Sequence, residues 1–334
     1  MKKTWTIIAF IFFTILCSGA LPAVSVRAGT WDIQPGFELR YTDNAIYIYD
    51  LATQQTSHDS DLIFEPYVTG RIRLGDGATK TKLSAYIASD FYSTYSPLNN
   101  QTYSLLLEQG ISAGTALSFR VHLNPYLFVG EEEINSAQNT PLIDTNQSYR
   151  LETYTVGLDK DIYEKGHLYF FAKLGVRDFN PVMAYRSGTY RTLGAELSFK
   201  PANRRTFLVG LAGETFDAEK GIRTVTTLTP STFMDDAGYI SYGLTFLWVE
   251  RFSEENRLRS RYQINLKDFT AIAPEPLHEG RVDYFNDLSF TFTHKLNGTW
   301  AWKTGLELTD RLTNKDYAYY VEKIISTGIE GYFN

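Results

Sequence analysis

Fourteen segments of this 334-residue chain alternate apolar and polar side chains, and this alternation most constrains its fold. A period of two places successive side chains on opposite faces of a β-strand. In the segment 166–177, Leu168 and Phe170 share one face, whereas His167 and Lys173 share the other. The predicted strands are 30–42, 62–74, 80–92, 101–110, 116–128, 148–158, 166–177, 188–200, 205–216, 238–251, 256–267, 282–296, 299–311 and 319–333.

The connections between these segments alternate in length. Those after even-numbered segments are short, whereas 43–61, 129–147 and 217–237, which follow odd-numbered segments, are much longer. Short turns at one end and long loops at the other are typical of an outer-membrane barrel. The pair Asn297-Gly298 predicts a two-residue hairpin turn, because both residue types tolerate a positive φ. We therefore predict an all-β fold, an antiparallel transmembrane β-barrel of about 14 strands with both termini in the periplasm.

The last segment has the pattern of a closing strand. Val321, Ile325, Ile329 and Phe333 fall on one face, and Phe333 stands one position from the end. In a barrel the last strand pairs with the first, so that no edge is left open. An edge strand of a soluble sheet is the alternative, but a soluble sheet gives no reason for loop length to alternate.

Residues 1–28 have the features of a secretory signal peptide. Two lysines precede an apolar segment, 6–17, which is too short to span a bilayer as a helix. Val26-Arg27-Ala28, or alternatively Ser18-Gly19-Ala20, offers small residues for cleavage. We expect the barrel to occupy 29–334, with no plug or soluble domain before the first strand.

Composition excludes several classes of protein. A mean hydropathy of -0.24, with no later run of 18 apolar residues, argues against a helical membrane protein. Cys17 is the only cysteine and lies in the signal segment, so the mature chain has no thiol for a disulfide, metal or nucleophile. Without residues 1–28 the 32 basic residues fall to 29 against 38 acidic ones, a balance that does not favour nucleic acid. We expect no cofactor and no metal site.

Aromatic residues are grouped near the segment ends. Such grouping predicts the two interfacial girdles of a membrane barrel, although aromatic side chains also favour strands in general. The predicted girdles are Trp31, Phe199, Trp248, Trp300, Trp302 and Phe333 near the turns, and Tyr41, Phe91, Tyr103, Tyr149, Tyr242 and Tyr284 near the loops.

The segment 256–267 carries three arginines in strict alternation. Arg257, Arg259 and Arg261 alternate with residues suited to lipid, so we expect a ladder of arginines in the lumen. Asp283 and Asp287 on the next strand are expected to oppose it. The full set predicted to line the pore is Arg40, Arg71, Arg73, Arg120, Lys173, Arg177, Arg257, Arg259, Arg261, Lys267, Asp283 and Asp287. Further inward acids are Glu38, Glu65, Glu196, Glu214, Glu307, Glu322 and Glu330. These charges either select solutes at a constriction or pair across strands and stabilise a wet interior.

Motifs for catalysis are missing from the sequence. No Gly-x-Ser-x-Gly elbow and no His-Glu-x-x-His metal motif occurs. His122 is predicted to face the lumen near Ser118 and Asn124, and we interpret it as a wall residue. The acidic run 131–133 is interpreted as a solvated loop. We therefore expect no enzymatic activity.

Two stretches of the chain carry a resemblance to a known group. The sequence 41–44 followed by 61–66 resembles the opening of β-barrel porins that are found with exopolysaccharide export systems, and 311–314 with Tyr320 is similar to their closing hairpin. The same ending resembles the barrel of surface lipoprotein assembly modifiers, whose helical-repeat periplasmic domain is missing here. The resemblance implies an outer-membrane channel, with polysaccharide export proteins among its partners.

The sequence thus predicts a porin-like channel of the bacterial outer membrane for polar or anionic solutes. Expected partners are outer-membrane lipid, lipopolysaccharide and the barrel assembly machinery. Three alternatives are a surface-polysaccharide export component, an outer-membrane enzyme and a non-conducting structural barrel whose loops fill the lumen.

Overall fold

The computed structural model describes residues 30–50, 55–128, 148–225, 231–272, 278–315 and 319–333. The predicted fold is confirmed, because fourteen antiparallel strands close into a barrel. The barrel strands are β1 (Thr30–Asp50), β2 (Gln55–Leu74), β3 (Thr81–Tyr92), β4 (Asn100–Ser112), β5 (Thr115–Phe128), β6 (Ser148–Tyr163), β7 (Gly166–Phe179), β8 (Gly188–Ala202), β9 (Arg205–Ala218), β12 (Tyr239–Arg251), β13 (Asn256–Phe269), β14 (Val282–Lys295), β15 (Trp300–Thr313) and β16 (Tyr320–Gly331). Consecutive barrel strands are paired, and β1 pairs with β16 to close the cylinder. The hairpin of β10 (Gly221–Val225) and β11 (Ser231–Asp235) lies between β9 and β12.

Helical structure is confined to short elements. In the described ranges, the helices are the 3₁₀ turns Gly77–Thr79, Ser96–Leu98 and Pro181–Arg186. Among these same residues, no helix has the length and apolar character needed to cross a membrane.

The strands extend beyond several predicted boundaries. The connection predicted at 43–61 is mostly a hairpin, since β1 and β2 stay paired as far as Asp50 and Gln55 after an irregularity between Thr42 and Ile46. Continued pairing satisfies backbone groups that an open loop would leave to water. The connection 217–237 includes β10 and β11. The segment 1–28 and the loop 129–147 lie outside the described residues.

The turns at the end of the barrel that holds Thr30 are short, as predicted. A two-residue turn joins β4 and β5 but not β14 and β15. Gly114 adopts a φ of 70° in the two-residue turn between β4 and β5, a conformation that favours glycine. The prediction of a two-residue turn at Asn297-Gly298 is wrong, because β14 ends at Lys295 and β15 begins at Trp300, which leaves four residues in the turn. The side-chain oxygen of Asn297 instead accepts hydrogen bonds from the backbone N–H groups of Thr299 (2.8 Å) and Trp300 (2.9 Å), which widens the turn.

The outward face of the barrel is apolar and exposed. Leu193 on β8 and Leu211 on β9 expose 70% and 62% of their surfaces. An apolar exterior around a closed sheet is suited to hydrocarbon, because no strand edge or unpaired backbone faces the lipid. Exposed girdle residues include Trp31, Phe199, Trp248, Trp300 and Trp302 at the turn end, and Tyr41, Phe91, Tyr242 and Tyr284 at the loop end.

The girdle assignment of Tyr149 is wrong. Strand pairing places Tyr149 on the inward face, where its ring stacks on Phe179 with centroids 4.8 Å apart. The outward positions of this part of β6 are Arg150 and Glu152, which form an ion pair with each other. Polarity does not alternate in this stretch, so the sequence pattern could not assign its faces.

Backbone and side-chain hydrogen bonds stabilise the two ends of the β1–β16 pair, which closes the barrel. At the turn end, Ile33 and Phe333 exchange two backbone hydrogen bonds of 2.8 and 3.0 Å. At the loop end, the Thr42 hydroxyl donates to Glu322 (2.6 Å) and the Asn44 amide donates to the β16 backbone (2.6 Å). The sequence stretch 41–44 therefore contributes to barrel closure.

Candidate functional site

The candidate site is the inward wall of the barrel. Strand pairing places all twelve predicted pore-lining residues on this wall, opposite the exposed apolar face. They are Arg40, Arg71, Arg73, Arg120, Lys173, Arg177, Arg257, Arg259, Arg261, Lys267, Asp283 and Asp287. Their effect on a permeating solute stays a prediction, but their contacts separate structural charges from charges that face the cavity.

The cations on β1 and β2 belong to the structural group. Ion pairs join Arg40 to Glu65 (3.1 Å) and to Asp90, and join Arg71 (3.2 Å) and Arg73 (3.0 Å) to Asp32. Asp32 is buried, so the two arginines balance a carboxylate that would be costly alone. This wall follows the alternative in which charges pair across strands.

Arg177 is enclosed by aromatic rings. Its guanidinium carbon lies 5.5, 4.7 and 5.7 Å from the ring centroids of Tyr190, Phe216 and Tyr239. Its Nη2 donates to the Tyr239 hydroxyl (2.9 Å), which donates to Glu214 (2.8 Å). The attraction between the cation and the ring faces stabilises this arrangement and keeps Arg177 from the open lumen.

The same kind of packing continues across the loop end of β13 to β16. Lys267 Nζ lies 4.5 Å from the Tyr239 centroid and 5.0 Å from that of Phe285. Arg311 lies 5.8 Å from the Phe285 centroid and 5.6 Å from that of Tyr320. We refer to the rings of Tyr190, Phe216, Tyr239, Phe285 and Tyr320 with Arg177, Lys267 and Arg311 as the aromatic–cation layer. The apolar face of the sequence pattern does not include this layer, because its rings occupy positions on the polar face.

Asp283 and Asp287 do not oppose the arginines, which corrects the prediction. Asp283 is fully buried and accepts hydrogen bonds from Arg281 Nε (2.8 Å) and Nη2 (2.7 Å). In the β13–β14 register, Asp283 lies opposite Lys267 and Asp287 lies opposite Gln263. Both carboxylates are therefore nearer the loop end than the arginines are.

The arginine ladder keeps its predicted geometry but has different neighbours. The arginines pair in register with hydroxyl residues of β14, namely Arg257 with Thr293, Arg259 with Thr291 and Arg261 with Ser289. Within the described ranges, no carboxylate oxygen lies within 4 Å of the nitrogen atoms of these three arginines. Three like charges on one strand without acidic partners make this wall an attractive surface for anions.

A cavity of 440 Å³ adjoins the aromatic–cation layer on the inward wall. Gly210, Ala212 and Gly243 on β9 and β12 form part of its lining, and their small size leaves space between larger neighbours. Charged residues that line it are Lys173, Glu196, Glu214, Arg261 and Lys267. Polar neutral residues that line it are Thr192, Ser241, Thr245, Gln263 and Asn265.

A second cavity of 250 Å³ lies nearer the turn end and shares Glu196 with the first. Glu108, Arg120, Asp159 and His167 also line it. Arg120 thus borders this cavity, whereas Glu108 forms an ion pair with a lysine of β3.

Three possible metal ligands meet beside this second cavity. Asp159, Asp161 and His167 bring one ligand atom each within 4.8 Å of one another. His167 Nδ1 contacts Asp161 closely and lies 3.9 Å from Asp159. An imidazole paired with two part-exposed carboxylates accounts for this geometry, so it assigns no ion.

His122 also lies on the inward wall, as predicted. It is paired in register with Ser104 on β4 and Thr153 on β6. The hydroxyl oxygens of Ser118 on β5 and Tyr169 on β7 lie 3.4 Å apart. Within the described residues, no hydrogen bond joins His122 to Ser104 or Ser118.

Comparison with known proteins gives only distant structural matches. No protein-family model matches the chain, and no curated protein sequence is significantly similar to it. The structure is similar to OmpT of Vibrio cholerae in its trimer form, with 8% identity and a TM-score of 0.47 over 92% of this chain and 100% of that one. It is also similar to an anion-selective porin from Comamonas acidovorans, with 11% identity and a TM-score of 0.43 over 92% and 99%. A FadL homologue of Pseudomonas aeruginosa matches with 9% identity and a TM-score of 0.44 over 91% and 90%. At these values no functional argument rests on the similarity.

Proposed function

We propose that this protein is a channel of the bacterial outer membrane that conducts polar solutes and favours anions. The observation that carries the proposal is the ladder of Arg257, Arg259 and Arg261, which faces the lumen without acidic partners in the described part of the chain. A guanidinium stays protonated at physiological pH, so the field of the ladder is permanent. A permanent positive wall raises the local concentration of anions and lowers that of cations.

Acidic groups also line the inward wall near the ladder. Glu196 lies on β8, three strands from the ladder on β13, and Asp159 and Asp161 lie on β6, five strands from it. Basic side chains of β5 and β7 lie among these acids, namely Arg120, Lys173 and Arg177. We propose that anions follow the β13 wall.

A planar-bilayer recording with the purified protein tests this function. We expect stepwise conductance, and in a potassium chloride gradient a reversal potential displaced toward the chloride equilibrium potential. Absence of conductance in correctly folded protein would refute the channel and would favour the structural barrel or the enzyme. Conductance with cation selectivity would refute the role of the ladder.

The membrane location has its own tests. Folded barrels resist detergent, so boiled and unboiled samples should migrate differently on a denaturing gel, and the far-UV circular dichroism spectrum should be that of a β-protein. Epitope tags within 43–61, 129–147 and 217–237 should be accessible to antibody on intact cells, because long connections lie outside the cell in such barrels. Labelling only after permeabilisation would reverse the topology.

The partners follow from this location. We propose contacts with outer-membrane phospholipid and lipopolysaccharide along the exposed apolar face, and folding by the barrel assembly machinery. Association with polysaccharide export proteins is a narrower proposal. Co-purification of such proteins with the tagged barrel from native membranes would support this association. Their absence from the purified sample would refute it.

A further inference from the structure

The 440 Å³ cavity contains charges of both signs that do not pair with one another. Lys173, Glu196 and Arg261 line it, and in the described ranges none of them has an oppositely charged side-chain atom within 4 Å. Inward ion pairs elsewhere in this barrel are close, as in the Arg40 cluster, so the separation here is a local feature.

The other charged groups at this cavity are already engaged. Glu214 accepts hydrogen bonds from the Tyr239 hydroxyl (2.8 Å) and the Thr192 hydroxyl (2.8 Å). Lys267 lies against the rings of the aromatic–cation layer. The charged groups of the cavity that remain open to a ligand are therefore Lys173, Glu196 and Arg261.

The fold holds these three groups apart. Glu196 lies on β8 and Arg261 on β13, with β9 and β12 between them, and the strand registers place Glu196 level with Gln263, two residues from Arg261. Their backbones are therefore about 16 Å apart along the wall, at roughly 4.8 Å per strand and 3.4 Å per residue. The Glu196 side chain lies over Gly210, where an added Cβ would come within 3.2 Å of Glu196 Cγ. Lys173 is paired with Thr192 and lies on β7, on the far side of β8 from β13, so it lies beyond Glu196 and is remote from Arg261. The gap between Glu196 and Arg261 fits a small molecule that carries opposite charges at its two ends.

The uncharged lining favours a polar ligand. Ser241, Thr245, Gln263 and Asn265 present hydroxyl and amide groups to the cavity. The face of the Tyr239 ring, by contrast, is covered by Lys267 and Arg177. Stacking of an aromatic solute on this ring is therefore disfavoured.

We propose that this cavity binds a zwitterionic solute of amino-acid to dipeptide size. Its ammonium group lies at Glu196 and its carboxylate lies at Arg261. The inference rests on the proposed function, because the solute reaches the cavity through the lumen. The inward wall thus provides a binding site for this class of solute during passage.

Three matched probes test the inference by calorimetry on the folded protein in detergent. Glycylglycine carries both charges, N-acetylglycylglycine carries only the carboxylate, and glycylglycinamide carries only the ammonium group. Loss of one charge-assisted contact is expected to weaken affinity about tenfold. We therefore expect glycylglycine to bind about tenfold more tightly than either analogue. Equal affinities for the three probes, or no binding of glycylglycine, would overturn the inference.

Substitutions assign the two ends of the ligand. Glu196→Gln should abolish the preference for glycylglycine over its acetylated analogue, and Arg261→Gln should abolish the preference over the amide. Glu307→Gln makes the same change on the inward face of β15, away from the cavity, and should leave both preferences intact. A preference that survives Glu196→Gln would refute the assigned orientation.

A second pair of variants tests the space itself. Ala212→Leu fills the cavity, whereas Ala195→Leu makes the same change on the outward face of β8. Glycylglycine affinity should fall only in the first, and heat-dependent gel migration would verify that both variants fold. Bilayer recordings keep the two proposals separate: selective binding without conductance would refute the channel alone, and conductance without selective binding would refute this inference alone.

Discussion

Replacing Arg257, Arg259 and Arg261 together by glutamine tests how strongly the ladder selects ions. The three guanidiniums repeat every second residue of β13, so they are spaced by about 6.5–7 Å. Glutamine preserves polarity and much of the volume while removing three charges. Replacing Arg150, Arg191 and Arg205 by glutamine is the matched control, because their strand positions lie on the outward face.

The expected magnitude follows from Coulomb's law with screening. A monovalent anion about 7 Å from one guanidinium gains about 0.6 kcal/mol in water, which screening reduces to about 0.3 kcal/mol at ~0.1 M salt. The same anion lies about 10 Å from the two outer arginines, each of which adds about 0.15 kcal/mol, so the three together contribute about 0.6 kcal/mol, or roughly a threefold anion enrichment. At ~1 M salt the sum falls to about 0.1 kcal/mol, or roughly 1.2-fold. The effect of the substitution should therefore be large at low salt and nearly absent at high salt.

The assay is the reversal potential in a potassium chloride gradient, measured for the parent, the triple variant and the control at both salt levels. We expect the triple variant to shift toward the potassium equilibrium potential at low salt, while the control stays with the parent. A folded, conducting triple variant with unchanged selectivity would refute the reasoning, since it would place the ladder away from the ion path. A shift of equal size at both salt levels would show that the effect is not electrostatic.

Three further predictions concern stability and titration. Arg177→Met should lower the free energy of unfolding by about 2 kcal/mol, because the enclosed cation loses its ring contacts, and an unchanged denaturant midpoint would contradict this. The pKa of Tyr95 is raised to about 12 because its hydroxyl donates to Asp59 at 2.6 Å, so the stabilisation should be complete below about pH 10 and be lost as pH rises through about 12. Asp59→Asn should return this tyrosine toward an ordinary titration in phenolate absorbance, and an unaltered curve would exclude the hydrogen bond. Thr42→Val removes the 2.6 Å hydrogen bond to Glu322 and should lower the temperature at which the folded gel band is lost, whereas Thr42→Ser should not.

The sequence by itself determined the fold class and the facing of most side chains. A period of two, short turns at one end and a closing strand with Phe333 near its end suffice for this, because alternation fixes which residues share a face. The twelve charged residues predicted to face inward do so for the same reason. The facing of Tyr149 could not be predicted in this way, because polar and apolar residues do not alternate in its part of β6.

Only the tertiary structure decided which inward charges have partners. Arg40 and Arg259 are alike in the sequence pattern, yet Arg40 forms ion pairs with carboxylates of β2 and β3, whereas Arg259 lies opposite a threonine of β14. Partnership depends on strand register and on which strands become neighbours, and these are properties of the closed sheet. The cavity beside Glu196 arises in the same way, from small residues on β9 and β12 that lie between larger side chains of other strands. Alternation along one strand sets the direction of a side chain, but contacts between strands set its chemistry.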